Sequence, residues 1–206
     1  RDREAFASVA LGWIPVVAVG ALPFWLGGMF YGPFEYMEGT ASHSDVLVGL
    51  LHSWFESMSG FTTTGATVID HTTSPMCLEG AEQDCIRSQR RSLILWRSLS
   101  QWLGGMGVIM LGLLILSRSL GGGMALARAE LTGPSVSQLG ISLESTARRL
   151  WTIYVALTLM EMALLNFVGG MGIFDAVNYS LTTLPSGGFT TSDGGVMDFG
   201  SARIEV

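Results

Sequence analysis

Apolar residues gather into three runs of membrane length, at 5–30, 93–117 and 150–174. A helix needs about 20 such residues to cross the hydrocarbon core of a bilayer. The first run is uncharged and contains Pro15 and Pro23. The second carries one charge, Arg97, and the third carries one, Glu161. Two further apolar runs, 46–58 and 176–184, are too short to span and read as half-helices that enter the membrane partway. Each opens directly into a polar loop, Ser59-Gly60-Phe61-Thr62-Thr63-Thr64-Gly65-Ala66-Thr67 in one case and Pro185-Ser186-Gly187-Gly188-Phe189-Thr190-Thr191-Ser192-Asp193 in the other. The order is therefore span, half-helix, loop, span, linker, span, half-helix, loop. It predicts an all-α integral membrane protein built on span–pore-helix–span repeats with re-entrant loops. Residues 1–118 form a first repeat, 119–149 a linker and 150–206 an incomplete second repeat.

Lipid cannot satisfy the backbone groups of a Thr/Ser/Gly loop. Such a loop survives at membrane depth only where protein buries it or where it lines a water-filled path. Two of them in matching context point to a pore loop used more than once, with filter segments at 60–67 and 185–191.

An internal comparison supports a duplication. Matching the two Gly-Phe-Thr-Thr strings puts them out of register, whereas aligning Gly65 with Gly188 pairs Ser57 with Ser180, Thr63 with Ser186 and Thr67 with Thr190. His52 and Asp175 then lie equally far upstream. Leu26-Gly27-Gly28-Met29 and Val168-Gly169-Gly170-Met171 each close a first span, and the first unit carries about 19 extra residues between span and half-helix.

Composition agrees with a membrane protein: 49% of residues are hydrophobic, 14% are charged, and the mean hydropathy is +0.44. The net charge is −6 and all eleven basic residues are Arg. The chain starts at Arg1, shows no signal-peptide pattern, and reads as a fragment. Arg1, Arg3, Arg118, Arg128, Arg148 and Arg149 gather at the N-terminus and in the linker, which places both on the cytoplasmic side. The Thr/Gly loops then enter from outside, although Arg87, Arg90 and Arg91 stand against that orientation. In the linker, Gly121-Gly122-Gly123 reads as a flexible joint before a short interfacial helix. Cys77 and Cys85 share one hydrophilic loop. They read either as a disulfide, if that loop faces an oxidising space, or as two free thiols. No Cys/His spacing suggests zinc, no resident cofactor is expected, and a nucleic-acid partner is not expected.

A potassium ion sheds water only where other oxygens replace it, and inward-facing backbone carbonyls can do so. That geometry needs residues with positive φ, which Gly adopts without steric cost. Thr62, Thr63, Thr64 and Gly65 in one loop, with Ser186, Gly187 and Gly188 in the other, are the candidate ion ligands. Potassium is expected at Thr63, Thr64, Gly65, Ser186, Gly187 and Gly188. The half-helices turn their negative C-terminal ends toward these loops, which favours a cation.

Ser59–Thr67 preceded by Phe55-Glu56 carries a family resemblance. So do Trp96-Arg97-Ser98-Leu99-Ser100-Gln101-Trp102-Leu103-Gly104-Gly105-Met106-Gly107, and Asp175-Ala176 leading to Ser186-Gly187-Gly188-Phe189. Together they resemble the Trk/Ktr/HKT superfamily of potassium transporters, most closely its Trk-type pore subunit. The resemblance implies four repeats around a pseudo-fourfold pore and potassium as the transported ion. It implies a bacterial or archaeal plasma-membrane location and a homodimer of the full-length parent. It also implies a cytoplasmic nucleotide-binding (TrkA-like) regulatory subunit, with lipid as the surrounding partner. Gly65 and Gly188 fall on the family's filter glycines. This chain holds only two of the four filter loops, so it is not expected to conduct by itself.

Other residues keep two readings. Glu56 and Arg97 either pair behind the filter and brace it, or Arg97 extends to the outer interface. Gly104, Gly105 and Gly107 serve as a hinge or, more commonly for clustered glycines in membrane helices, as close-packing positions. Glu161 has either a pore role or a contact with a neighbouring helix. Two competing functions are an intramembrane serine protease using Ser59 or Ser186 and a non-conducting assembly module. Nucleophilic catalysis needs a base in reach of the hydroxyl, and no His lies in a predicted span, so an enzyme is not expected.

Overall fold

A computed structural model describes residues 2–77, 84–130, 143–200 and Ile204. Every regular element among them is helical. The order is α1 (Asp2–Leu26), a short α2 (Pro33–Met37), α3 (His43–Phe61), α4 (Arg91–Glu130), α5 (Leu143–Phe167) and α6 (Ile173–Thr183), followed by a 3-10 turn at Gly195–Phe199. Residues 131–142 of the expected linker and 78–83 of the cysteine loop lie outside the described residues.

The first and third apolar runs end their helices earlier than hydropathy suggests, at Leu26 rather than 30 and at Phe167 rather than 174. The reason is the same twice. Gly28 and Gly170 take φ values of +77° and +75°, the left-handed conformation that terminates a helix and that Gly adopts most easily. The first half-helix is longer than hydropathy suggests. At its start Ser42 and Asp45 form a capping box: Asp45 N–H donates to the Ser42 hydroxyl at 3.3 Å, and Ser42 N–H donates to the Asp45 carboxylate at 2.8 Å. At its end the small residues Ser59 and Gly60 continue the helix to Phe61. The second half-helix spans Ile173–Thr183 in place of 176–184.

The expected joint at Gly121–Gly123 is also corrected, because α4 runs unbroken through it. A Gly costs a helix only about 1 kcal/mol relative to Ala, and here the three glycines do not interrupt α4. Its 40 residues extend roughly 60 Å at 1.5 Å per residue, twice the hydrocarbon thickness.

Polarity is distributed inside out relative to a water-soluble protein. Leu11, Val19, Leu47, Leu51, Leu159 and Leu164 are exposed, while Ser53, Glu56, Ser57, Arg97, Ser100 and Gln101 are buried. Of the described helices, Ser145–Phe167 is long and apolar enough to cross a membrane by length and composition, with mean hydropathy 1.5. Polar side chains tie the helices together through carbonyls. Ser57 Oγ donates to Val17 O at 2.8 Å, Trp96 Nε1 to Gly20 O at 3.0 Å and Trp25 Nε1 to Val46 O at 3.2 Å. The outcome is α1 packed on α3, α5 on α6, and α4 lying against both half-helices.

Candidate functional site

The two polar loops leave α3 and α6 with the same backbone course. Thr63 and Ser186 are the two non-Gly residues with positive φ among the described residues, at +54° and +57°. Two positions on, Gly65 and Gly188 have φ of +74° and +81°. Turn hydrogen bonds repeat at the same offset. Thr63 N–H donates to Gly60 O at 3.0 Å and Ser186 N–H to Thr183 O at 2.7 Å, while Thr64 N–H donates to Ser59 O at 2.9 Å and Gly187 N–H to Thr182 O at 2.8 Å. A non-Gly residue in the left-handed region is strained by roughly 1–3 kcal/mol and persists only where its surroundings enforce it. Two such residues in one register make that enforcement a property of the loop type. The same offset pairs Gly65 with Gly188, as the sequence alignment does, and not the Gly-Phe-Thr-Thr strings.

The loops touch. A Cβ at Gly65 would collide with the Gly187 carbonyl oxygen, so Gly65 is required there both by its φ and by this close approach. At Gly188 a Cβ would meet nothing within 4 Å, and its φ alone selects Gly.

Helix α4 supplies the wall behind the second loop. Arg97, Gln101 and Gly105 succeed one another at four-residue spacing and so share one face. The loop runs antiparallel along it. Gly105 lies against Pro185, Gln101 reaches Gly187 and Phe189, and Arg97 reaches Phe189 and Thr190.

The Glu56–Arg97 pair is formed, Arg97 Nε donating to Glu56 Oε1 with both side chains at most 2% exposed. Thr67 Oγ1 donates to the same carboxylate at 3.0 Å and Val68 N–H at 3.3 Å. The guanidinium donates to Thr190 O at 3.0 Å and stacks 3.6 Å from the centre of the Phe189 ring. One buried ion pair thus joins the end of the first loop to the end of the second.

The α4 glycines are contact points. A Cβ at Gly104 would strike the backbone of Phe61 at the end of α3, one at Gly105 would strike Pro185, and one at Gly107 would come within 3.2 Å of the Trp13 ring. Cys77 and Cys85 are joined in a disulfide, with Cα atoms 5.0 Å apart. The strand of chain after it is gripped by Asp193, whose carboxylate accepts from Cys85 N–H at 2.8 Å and Ile86 N–H at 3.1 Å. Glu161 is half-buried on α5 beside Thr183.

Of the two serines named for the protease alternative, Ser59 is engaged, its Oγ donating to Ala66 O at 2.6 Å. His43 bonds to Tyr36 at 2.7 Å, and His52 packs against Phe30.

Gly187 O, expected among the ion ligands, accepts a hydrogen bond of 2.8 Å from Gln101 Nε2. Gln101 itself carries no charge to draw notice, and its four-residue spacing from Arg97 is the signal that would have found it.

The family model TrkH, described as cation transport protein, matches residues 34–206. Over 207 aligned positions the chain is 37% identical to the Trk system potassium uptake protein TrkH of Halomonas elongata and to that of Escherichia coli. It is 28% identical to the Trk system potassium uptake protein TrkG of Escherichia coli. Each match covers 100% of this chain and 36% of the relative, so the chain spans little more than a third of the length of these curated relatives.

Proposed function

The chain belongs to the TrkH family of cation transport proteins, and from that premise we propose that it supplies two of four filter loops to a potassium-uptake pore in a longer membrane protein. Residues 1–118 are its first repeat and 150–206 most of its second. The observation that carries this reading is the paired conformation of the two loops, Thr63 with Ser186 and Gly65 with Gly188 in the left-handed region at one offset. Strain repeated in register at two loops supports a backbone shaped for a ligand.

In this reading the ion is held by carbonyls of Thr62, Thr63, Thr64 and Gly65 and by those of Ser186 and Gly188, which replace its hydration shell. The Gly187 carbonyl acts as a strut to α4. Glu56 and Arg97 brace both loops from behind, and the C-terminal ends of α3 and α6 add negative potential. The segment alone does not conduct, because two loops leave the pore open on two sides. The whole protein is a multi-pass component of a bacterial or archaeal plasma membrane. It works as a homodimer with a cytoplasmic nucleotide-binding regulatory subunit.

The test is growth of a potassium-uptake-deficient bacterium on low potassium, rescued by the full-length protein that carries this segment. Gly65→Asp and Gly188→Asp abolish rescue while the protein still reaches the membrane. Gly39→Asp, at a positive-φ glycine with open space around it, retains rescue. Wild-type rescue by both filter variants would remove the assignment.

A further inference from the structure

We propose that Gln101 is a positioning residue that sets ion preference by fixing the direction of the Gly188 carbonyl. The proposal rests on the filter reading above and goes beyond it, because Gln101 lies on the membrane-spanning wall and not in either loop.

The amide of Gln101 is fully buried and uses both ends. Its Nε2 donates to Gly187 O at 2.8 Å, and its Oε1 accepts from Phe189 N–H at 3.2 Å. The two partners are the backbone groups on either side of Gly188. An NH₂ can only donate and a carbonyl oxygen can only accept, so these partners also fix which way round the amide sits.

The consequence for Gly188 follows from peptide geometry. All peptide bonds described here are trans, and in a trans peptide the N–H and the preceding C=O point in opposite directions. Holding Phe189 N–H against α4 therefore aims Gly188 C=O away from α4. Holding Gly187 O against α4 fixes the peptide before it. Gly188 takes φ of +81° between these two anchors, a conformation that lets successive peptides be held in this way. With neither bond, both peptides flanking Gly188 are free to rotate and its carbonyl loses a fixed aim. The amide also packs directly on the loop, since a Cβ at Gly187 would collide with it. Glu56 takes a related part for the first loop by accepting from Thr67 and Val68.

The experiment measures potassium uptake and its competition by sodium in cells carrying the full-length protein, with membrane protein levels checked for each variant. Gln101→Met keeps length and removes both bonds. Gln101→Glu keeps the acceptor for Phe189 N–H, loses the donor to Gly187 O, and serves if the Met variant does not reach the membrane. Both variants are expected to lower the potassium-to-sodium preference, Gln101→Met by about tenfold, the scale of a lost buried hydrogen bond. An unchanged preference, with or without a lower maximal rate, would reduce Gln101 to a packing residue and overturn the proposal. Gly188→Ala run in parallel separates the two levels. If it alters preference while the Gln101 variants do not, only the positioning role falls; if it too leaves preference unchanged, the filter reading falls with it.

Discussion

At the scale of single residues, the buried ion pair sets the largest local stakes. Removing one partner of a buried pair leaves a charge without compensation, which costs about 3–5 kcal/mol, whereas removing both is far better tolerated. Arg97→Met is therefore expected to destabilise the full-length protein by about that amount, and adding Glu56→Gln to return much of it. Chemical denaturation of the purified variants checks this, and a double variant no more stable than Arg97→Met would refute it. In the loop between α3 and α4, the Thr72 hydroxyl holds the Asp70 carboxyl below its ordinary pKa, against the raising effect of burial, with the Thr72 and Thr73 N–H groups assisting. A folded-state pKa that is depressed gives stability present above the unfolded value and lost as pH falls through the folded value. The loop around Asp70 should thus be indifferent to pH from neutrality down to the ordinary carboxylate range and loosen only below it. Thr72→Val should move the Asp70 titration upward, as read by carboxyl-carbon NMR. The ion pair was legible because two isolated charges beside apolar runs have few ways to avoid the penalty of burial. Gln101 was not, since a neutral amide announces no such penalty.

At the scale of elements, the small residues of α4 record what each face approaches. Gly104→Ala places a methyl against the backbone of Phe61, which cannot yield cheaply, whereas Gly107→Ala meets the edge of the Trp13 ring at 3.2 Å. We expect Gly104→Ala to lower the amount of folded protein in the membrane severalfold and Gly107→Ala to leave it close to wild type. Membrane protein yield and size-exclusion profile are the measurements. Equal and full tolerance of both would return the hinge reading. Helix existence was readable from hydropathy alone, since runs of apolar residues have few alternatives in lipid. Helix ends were not, because they are set by local devices: the Ser42–Asp45 cap extends α3, and left-handed Gly28 and Gly170 shorten α1 and α5.

At the scale of the molecule, α4 and two inter-segment grips hold one half of the chain to the other. The buried grip runs through Arg97 and Gln101; the outer one runs through Asp193 and the backbone beside the Cys77–Cys85 disulfide. Solvent weakens the outer grip, so Asp193→Ala should lower thermal stability far less than Arg97→Met does, and a thermal melt of the full-length protein compares them directly. The common register of the two loops was readable from residue spacing, but contact between the loops was not, since it depends on how α4 is shared by both half-helices. The central claim is that these two loops face one cation path. Anomalous scattering from thallium, a potassium-like cation, in crystals of the full-length protein tests it most directly. The account predicts a peak bounded by carbonyls of Thr63, Thr64 and Gly65 on one side and of Ser186 and Gly188 on the other. A thallium peak elsewhere in the protein, with none between these loops, would contradict it.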